Sequence, residues 1–293
     1  MPAIPAGARG AVITGWGTAL GPRTLTNDDL SKFLDTSDEW IVERTGIRER
    51  HVDGVTSELS AESARKAMEM AGVDPSEIDA LVLSTTTPDR SIPATSSTVQ
   101  NLLGLKCGAF DVNAACSGFV YGLVVAHGLI AMGSRKVLLI GTDCLSKVTD
   151  WEDRNTAVLF GDGSGAIVLE ASDSANQLLG WDIDADGSAE KYLYAEIGGN
   201  IKMDGKEVFR RAVRIMVDSA KKSMAAAGIT ADQLTLVVPH QANVRIIQAA
   251  CERLEIPMER TAVVLQYAGN TSSASIPLAL VDALNNDRVK PGD

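Results

Sequence analysis

The strongest constraint on what this chain can fold into is that it repeats itself. Ala64-Arg-Lys-Ala-Met-Glu-Met-Ala-Gly-Val-Asp-Pro-Ser-Glu-Ile-Asp-Ala-Leu-Val-Leu83 aligns with Ala220-Lys-Lys-Ser-Met-Ala-Ala-Ala-Gly-Ile-Thr-Ala-Asp-Gln-Leu-Thr-Leu-Val-Val-Pro239 at an offset of 156 residues. Each copy reads as an amphipathic helix ended by a glycine, a short turn and a buried apolar strand, with Asp74-Pro75 as a further helix start in the first copy. At nearly the same offset, Phe110-Asp-Val-Asn-Ala-Ala-Cys116 corresponds to Val264-Leu-Gln-Tyr-Ala-Gly-Asn270, and both segments feed helices rich in small residues. Two pseudo-equivalent halves are therefore expected, 1–175 and 176–293, divided near the polar stretch 172–177.

Residues 10–14, 80–85, 108–112, 136–141, 234–238 and 261–266 read as buried strands alternating with helices, an α/β pattern. With 293 residues, 45% of them hydrophobic, the chain can bury a large core. Its net charge of −11 argues against a nucleic-acid binder that works by neutralising phosphates. The apolar run 119–132 falls short of the ~20 residues of a membrane span. The start of the chain has neither the basic nor the compact apolar region of an export signal, so a cytoplasmic protein is expected. Cys107, Cys116, Cys144 and Cys251 form neither a zinc pattern nor a disulfide framework.

Two glycine patterns invite a nucleotide reading. Gly161-Asp-Gly-Ser-Gly165 lies between apparent strands at 156–160 and 166–170, where a hairpin turn is expected rather than the helix opening of a dinucleotide site. Gly15-Trp-Gly-Thr-Ala-Leu-Gly21 follows a strand but precedes Pro22 and a polar stretch, not a helix.

Cys116 is more informative. It sits in Asn113-Ala-Ala-Cys-Ser-Gly118, between a strand and an apolar helix, among small residues that leave room for a substrate. A thiol at a helix N-terminus is expected to have a lowered pKa and N–H groups able to hold a thioester oxyanion, although a cysteine in isolation more often packs as a small hydrophobe. His240 follows a buried strand through Pro239, and Asn270 ends another in Gly269-Asn-Thr271, where a plain helix cap is the simpler reading. A thiol, an imidazole and a carboxamide at strand C-terminal ends fit the place where open α/β sheets put their chemistry. His51 reads as surface loop and His127 as helix packing. Arg44, Arg48 and Arg50 read equally as a solvated charged turn or, beside Trp40, as a base-stacking site. Arg210, Arg211 and Arg214 share one helix.

With these residues in view, the chain resembles the β-ketoacyl-acyl carrier protein synthase III family of the thiolase superfamily. The motifs that carry the resemblance are Ser37-Asp-Glu-Trp-Ile41, Arg44-Thr-Gly-Ile-Arg48, Asn113-Ala-Ala-Cys-Ser-Gly-Phe119, Phe160-Gly-Asp-Gly163, Pro239-His-Gln-Ala-Asn243 and Gly269-Asn-Thr-Ser272. The resemblance implies a thiolase-like five-layer αβαβα fold of two similar halves and a homodimer. It implies an enzyme that moves an acyl primer from acyl-CoA to Cys116 and condenses it, with loss of carbon dioxide, with malonyl-acyl carrier protein. His240 and Asn270 would bind the malonyl thioester carbonyl. No cofactor or metal is implied, since acyl-CoA is a substrate.

By the same resemblance Trp40 and Arg154 flank the adenine of coenzyme A, and Arg44, Arg210 and Asn243 line its phosphate and pantetheine path. Arg245 and Arg253 meet the acidic carrier protein, next to an acidic Glu252. Ile92 corresponds to a position that reaches the partner's acyl pocket, and its modest size suggests a primer longer than acetyl. The family has a longer loop region around 194–203 and continues past 291–293 with a strand and a glycine-rich loop that supplies an oxyanion N–H. Competing readings are a ketosynthase-like acyltransferase of secondary metabolism, a catalytically silent carrier-protein-binding partner and a cysteine hydrolase. The last lacks its family's signature around Cys116.

Overall fold

A computed structural model describes residues 9–173, 178–290 and 293. The expected boundary between the halves at 175/176 lies outside the described residues, as does part of the stretch 291–293.

The strands are β1 (Gly10–Leu20), β2 (Arg23–Thr26), β3 (Glu49–Val52), β4 (Ala80–Ser84), β5 (Gly108–Val112), β6 (Lys136–Cys144), β7 (Asp162–Ser172), β8 (Leu193–Tyr194) and β9 (Lys202–Met203). The helices are α1 (Asn27–Ser31), α2 (Asp38–Thr45), α3 (Thr56–Ala71), α4 (Thr95–Leu102), α5 (Gly118–Ala131), α6 (Arg154–Ala157), α7 (Gly205–Ala227), α8 (Val244–Leu254), α9 (Leu265–Ala268) and α10 (Ser275–Asn285). A five-stranded mixed sheet runs β1-β7-β6-β4-β5, with β4, β5 and β6 parallel and β7 antiparallel to both its neighbours, β6 and β1.

Side chains alternate across that sheet, as a strand requires. Leu81, Leu83, Leu138 and Ile140 pack with Ala64, Ala67 and Met68 of α3 and Val99 of α4. Val82, Val137, Leu139 and Ile167 face the other way, against Phe119, Ala126 and Ile130 of α5 and Ile276 and Leu280 of α10. Beyond α10, Leu236 and Val238 pack with Ala262, Val264, Leu278 and Ala279. Val237 faces outward to Val217 of α7 and Ala250 and Leu254 of α8. The order of layers is helix, sheet, helix, extended chain, helix.

The repeat is real at the level of caps. α3 and α7 both end on a left-handed glycine, Gly72 at φ 65° and Gly228 at φ 69°. Both are followed by a 3-10 turn closed by a capping box, Asp74 with Glu77 and Thr230 with Gln233. Further on the match lies three residues beyond the pairing of Cys116 with Asn270: Ala115 and Ser272 each open a 3-10 turn at positive φ, 46° and 49°, and each turn runs directly into a helix, α5 or α10.

Several local expectations need correction. The fourth layer is not a ladder of strands over 234–238 and 261–266: it is one parallel bridge, Val237 with Thr261, and residues 265–268 are helical. The reason is chemical. Pro239 has no N–H to continue a ladder, and the buried Gln241 side chain takes over, donating from Nε2 to the Ala262 carbonyl at 3.1 Å and accepting the Val264 N–H at 2.9 Å. Residues 154–157 are helix, not strand. Gly161–Gly165 is no hairpin: β7 begins at Asp162, whose buried carboxylate accepts the Ser146 and Gly54 N–H groups, each at 2.8 Å. Its glycines admit α10, since a Cβ on Gly165 would stand 2.6 Å from Pro277. Residues 15–20 continue β1. His51 lies in β3, where Arg50 and Val52 alternate inward. Arg50 is not a solvated turn residue. It is fully buried, donates to the carbonyls of Leu25 and Val158 and to Asn27, and burial brings its pKa down to about 10.

Candidate functional site

The site forms where the turn after β5 meets the turn before α10. Cys116 is the middle residue of the 3-10 turn Ala115–Ser117, at the C-terminal end of parallel strand β5 and just ahead of α5. Ser273, in the related turn, donates its hydroxyl to the Ala115 carbonyl at 3.0 Å and lies 3.0 Å from Ser84 Oγ at the end of β4. α5 can start this close to β4 only because residue 118 is glycine. A Cβ there would run into Ser84 Oγ and stand 2.8 Å from Ser273 Oγ.

The short segment 270–275 gathers the three candidate catalytic residues. Asn270 is buried, and its Oδ1 accepts the Ser272 N–H at 3.0 Å while its main chain bridges to Phe160. That leaves Nδ2 without a hydrogen-bond partner among the described residues. His240 reaches the same segment through Nδ1, 2.6 Å from Ser275 Oγ. Its Nε2 likewise has no partner among the described residues. Two N–H-bearing side chains thus converge on the turn beside the thiol.

The electrostatics of the thiol differ from the sequence expectation. Burial pushes the Cys116 thiol up to about 11, the nearby Asp143 carboxylate pushes it further the same way, and the Ser272 hydroxyl opposes them. With the shift in that direction, Cys116 rests near pH 7 as a thiol rather than a thiolate. Burial holds His240 down, to about 4, and the ring is neutral near pH 7. A neutral imidazole and a carboxamide are donors suited to a developing oxyanion.

Asp143, at the end of β6, gave no signal in the sequence. Its Oδ1 accepts from Thr85, Thr86 and Thr87, including the Thr86 N–H at 2.7 Å, and its Oδ2 accepts the Ser273 N–H at 3.0 Å. This buried carboxylate ties the loop after β4 to the turn that supports Cys116. Ser273, Ser275 and Gln241 were likewise not singled out. The sequence register, which matches Cys116 with Asn270, gives Ser273 no such place; the structure matches the two turns three residues later, at Ala115 and Ser272.

Four of the residues expected to bind coenzyme A come together. Trp40 of α2 has the guanidinium groups of Arg44 and Arg154 at 4.7 and 4.8 Å from its ring centroid. Asn243 donates its side-chain amide to the Arg44 carbonyl at 2.9 Å and caps α8 through Arg245 N. Arg210 stands apart on α7, paired with Glu207 at 2.7 Å. Arg245 is exposed, with Phe209 at 6.0 Å, and Arg253 is exposed on α8. Ile92 is 84% exposed in the loop between β4 and α4. An open cleft of about 610 Å³ begins at Ser117 and runs between Tyr121, Ile183 and Ile215. Trp40, Arg44, Arg154 and Asn243 do not line it.

The four cysteines are free thiols. No group of three His, Cys, Asp or Glu side chains able to hold a metal occurs among the described residues, and no described helix is long and apolar enough to cross a membrane.

Comparisons with known proteins converge. The profile described as 3-Oxoacyl-[acyl-carrier-protein (ACP)] synthase III matches residues 110–187, and its C-terminal counterpart matches 224–293. The chain is 47% identical to the β-ketoacyl-[acyl-carrier-protein] synthase III of Roseiflexus sp. (strain RS-1), over 97% of this chain and 92% of that protein. It is 46% identical to the protein of the same name from Erythrobacter litoralis, with 97% and 93% covered. The crystal structure of 3-oxoacyl-[acyl-carrier-protein] synthase III from Aquifex aeolicus superposes with a TM-score of 0.95 at 45% identity, covering 97% of this chain and 94% of that one. The priming β-ketosynthase of the R1128 polyketide pathway superposes with a TM-score of 0.90 at 35% identity, with 99% and 92% covered.

Proposed function

Because this chain belongs to the β-ketoacyl-acyl carrier protein synthase III family, thiolase-fold acyltransferases whose condensation initiates fatty-acid synthesis, we propose that its site runs two half-reactions on one thiol. Cys116 takes the acyl group of an acyl-CoA: its sulfur bonds to the thioester carbon, and coenzyme A leaves as the thiol with the proton Cys116 gives up. Malonyl-acyl carrier protein then loses carbon dioxide. The electron pair left at its α-carbon attacks the carbonyl carbon of the Cys116 thioester, the bond from that carbon to sulfur breaks, β-ketoacyl-acyl carrier protein departs, and the released Cys116 thiolate takes a proton from water. No strong base is needed, because decarboxylation itself generates the carbanion. The site has to stabilise enolate charge, the role of His240 Nε2–H and Asn270 Nδ2.

The observation that carries this reading is the convergence of those two open donors, through segment 270–275, on the turn of Cys116. The Trp40, Arg44, Arg154 and Asn243 cluster supports entry of coenzyme A, with an indole and guanidinium groups for the adenine and phosphates. Arg210, paired with Glu207 away from that cluster, would join the path on the strength of the resemblance alone, and exposed Arg245 and Arg253 offer an acidic carrier protein its charge complement. The fold is used as a homodimer in this reading: β5 is an edge strand paired only with β4, and its Phe110 is 37% exposed. Ile92 would then reach the partner's acyl pocket. The enzyme works in the cytoplasm, where both thioester substrates are made, and uses no cofactor.

Intact-protein mass spectrometry with a panel of acyl-CoA thioesters, followed by malonyl-acyl carrier protein, tests the proposal. An acyl adduct on Cys116 that malonyl carrier discharges as β-ketoacyl carrier protein is expected, and the panel ranks the primers. An adduct released only to other acceptors would favour an acyltransferase of secondary metabolism, and no adduct would favour a silent partner.

A further inference from the structure

The two halves place the same pair of positions side by side and fill them differently. In the first half, Ser84 at the end of β4 faces Gly118 at the start of α5, with no room for a Cβ between them. In the second half the repeat puts His240 in the place of Ser84, and beside it stands Ser275, which opens α10 as Gly118 opens α5. Here the glycine's place is taken by a hydroxyl, 2.6 Å from His240 Nδ1. Ser275 is only 1% exposed, so its hydrogen bonds are made within the protein.

Counting donors and acceptors fixes their direction. The Gln241 backbone N–H donates to Ser275 Oγ at 3.3 Å, which uses an acceptor site on that oxygen. Gln241 is itself immobilised, because its buried side chain is bonded to Pro239, Ala262 and Val264. Among the described residues Ser275 Oγ has only two partners, Gln241 N and His240 Nδ1. If Nδ1–H were the donor, the hydroxyl proton would be buried without an acceptor, at a cost of about 1–3 kcal/mol. With the hydroxyl donating to Nδ1, every group is satisfied. In a neutral ring, the remaining proton is then on Nε2, the nitrogen with no protein partner.

We infer that Ser275 is a positioning residue that, oriented by the Gln241 N–H, holds His240 in its Nε2–H tautomer and so aims a hydrogen-bond donor at the acyl-transfer site. The inference rests on the reading of His240 as an oxyanion donor, and it adds what makes that donor available. The wrong tautomer would present a lone pair to the enolate oxygen, repelling the charge the site has to stabilise. Ser275 acts only through His240, so it matters for the condensing half-reaction and leaves transfer of the acyl group to Cys116 untouched.

The test starts with the unmodified protein. It contains three histidines, His51, His127 and His240, so a nitrogen-15 spectrum of histidine-labelled enzyme shows three rings, assignable with His51→Gln and His127→Gln. His240 is expected as Nε2–H at pH 7; an Nδ1–H ring would overturn the inference without any change at Ser275. In Ser275→Ala the tautomer should become mixed. Condensation kcat should fall ~10-fold with KM for malonyl carrier unchanged, less than the 10²–10³ lost with a whole oxyanion donor. Cys116 acylation should keep its wild-type rate. Ser275→Cys, close in size and still a weak donor, should recover part of the kcat. A Ser275→Ala enzyme with an unchanged ring spectrum, or with acylation and condensation slowed alike, would reduce Ser275 to packing. His240→Ala separates this failure from that of the underlying reading: if it leaves decarboxylation intact, the donor role of His240 itself is wrong.

Discussion

The Ser273 hydroxyl donates to the Ala115 carbonyl at 3.0 Å, so the turn that carries Cys116 is held by the turn that precedes α10. The same oxygen lies 3.0 Å from Ser84 Oγ, and the Ser273 backbone N–H reaches Asp143 at 3.0 Å. Three elements of the first half therefore meet at one residue of the second. Ser273→Ala removes the hydroxyl and leaves a buried serine and a carbonyl short of a partner. A loss of about 1–3 kcal/mol is expected in urea unfolding. Acylation of Cys116 should slow as its turn loosens. Unchanged acylation with unchanged stability would mean the turn is held by its own backbone.

Gly118 allows the close approach of α5 to β4. Gly118→Ala places a methyl group against Ser84 Oγ and 2.8 Å from Ser273 Oγ. The strain should cost about 1–3 kcal/mol and displace the residues just before the helix, Cys116 among them. Adding Ser84→Ala relieves the nearest contact, leaving Ser84 Cβ at 3.3 Å. The double variant should therefore be more stable than Gly118→Ala alone, a non-additivity that a double-mutant cycle reads directly. Simple addition of the two losses would show that Ser84 is not what the methyl group meets.

How much of this could be read in the chain depends on what kind of signal each feature leaves. The repeat was legible because caps are made by residues with little freedom of choice. A left-handed C-cap favours glycine at 72 and 228, and a capping box needs the pairs 74 with 77 and 230 with 233. Cys116, His240 and Asn270 stood out as reactive side chains at strand ends. Ser275, Gln241 and Asp143 did not, because a serine, a glutamine and an aspartate acquire their importance only from partners far along the chain. The fourth layer was misread for a related reason. Residues 261–266 have strand composition, but Pro239 ends the donors a ladder would need and Gln241 takes its place. The expected low pKa of Cys116 failed on burial, which a local sequence pattern does not reveal.

Gln241 offers a test of that substitution of side chain for ladder. It is fully buried and bonds to the Pro239 carbonyl at 2.7 Å, the Ala262 carbonyl and the Val264 N–H. Gln241→Leu keeps the volume and strands three backbone groups, so a loss of about 2–5 kcal/mol is expected. Gln241→Glu keeps an acceptor for Val264 but confronts two carbonyls with a carboxylate, and should be destabilised at pH 8 more than at pH 5, where the acid is protonated. Thermal unfolding at the two pH values measures both. A Gln241→Leu protein as stable as the parent would mean that water satisfies those groups.

The thiol makes a prediction of opposite sign to that of an activated cysteine. With its pKa pushed up to about 11, free Cys116 should alkylate slowly at pH 7, and its rate with iodoacetamide should still be rising at pH 9–10. Because the Asp143 charge pushes the pKa up, Asp143→Asn should shift that rise to lower pH. A plateau below pH 8 in the unmodified enzyme would show that the start of α5 outweighs burial after all. Peptide mapping is needed to separate Cys116 from half-buried Cys107.

His240 links the site to global stability. Its folded pKa is lowered to about 4 by burial, against an ordinary value near 6.5. As pH falls below 6.5 the unfolded chain takes up a proton that the folded ring refuses, so stability is lost progressively down to about 4; above 6.5 both states are neutral and the group contributes no slope. His127, also lowered by burial, adds a loss of the same sign. His240→Gln removes only the first contribution. Unfolding midpoints measured from pH 8 to pH 5 should therefore fall less steeply in the variant than in the parent. If the two slopes coincide, His240 titrates alike folded and unfolded, and burial does not hold its ring down.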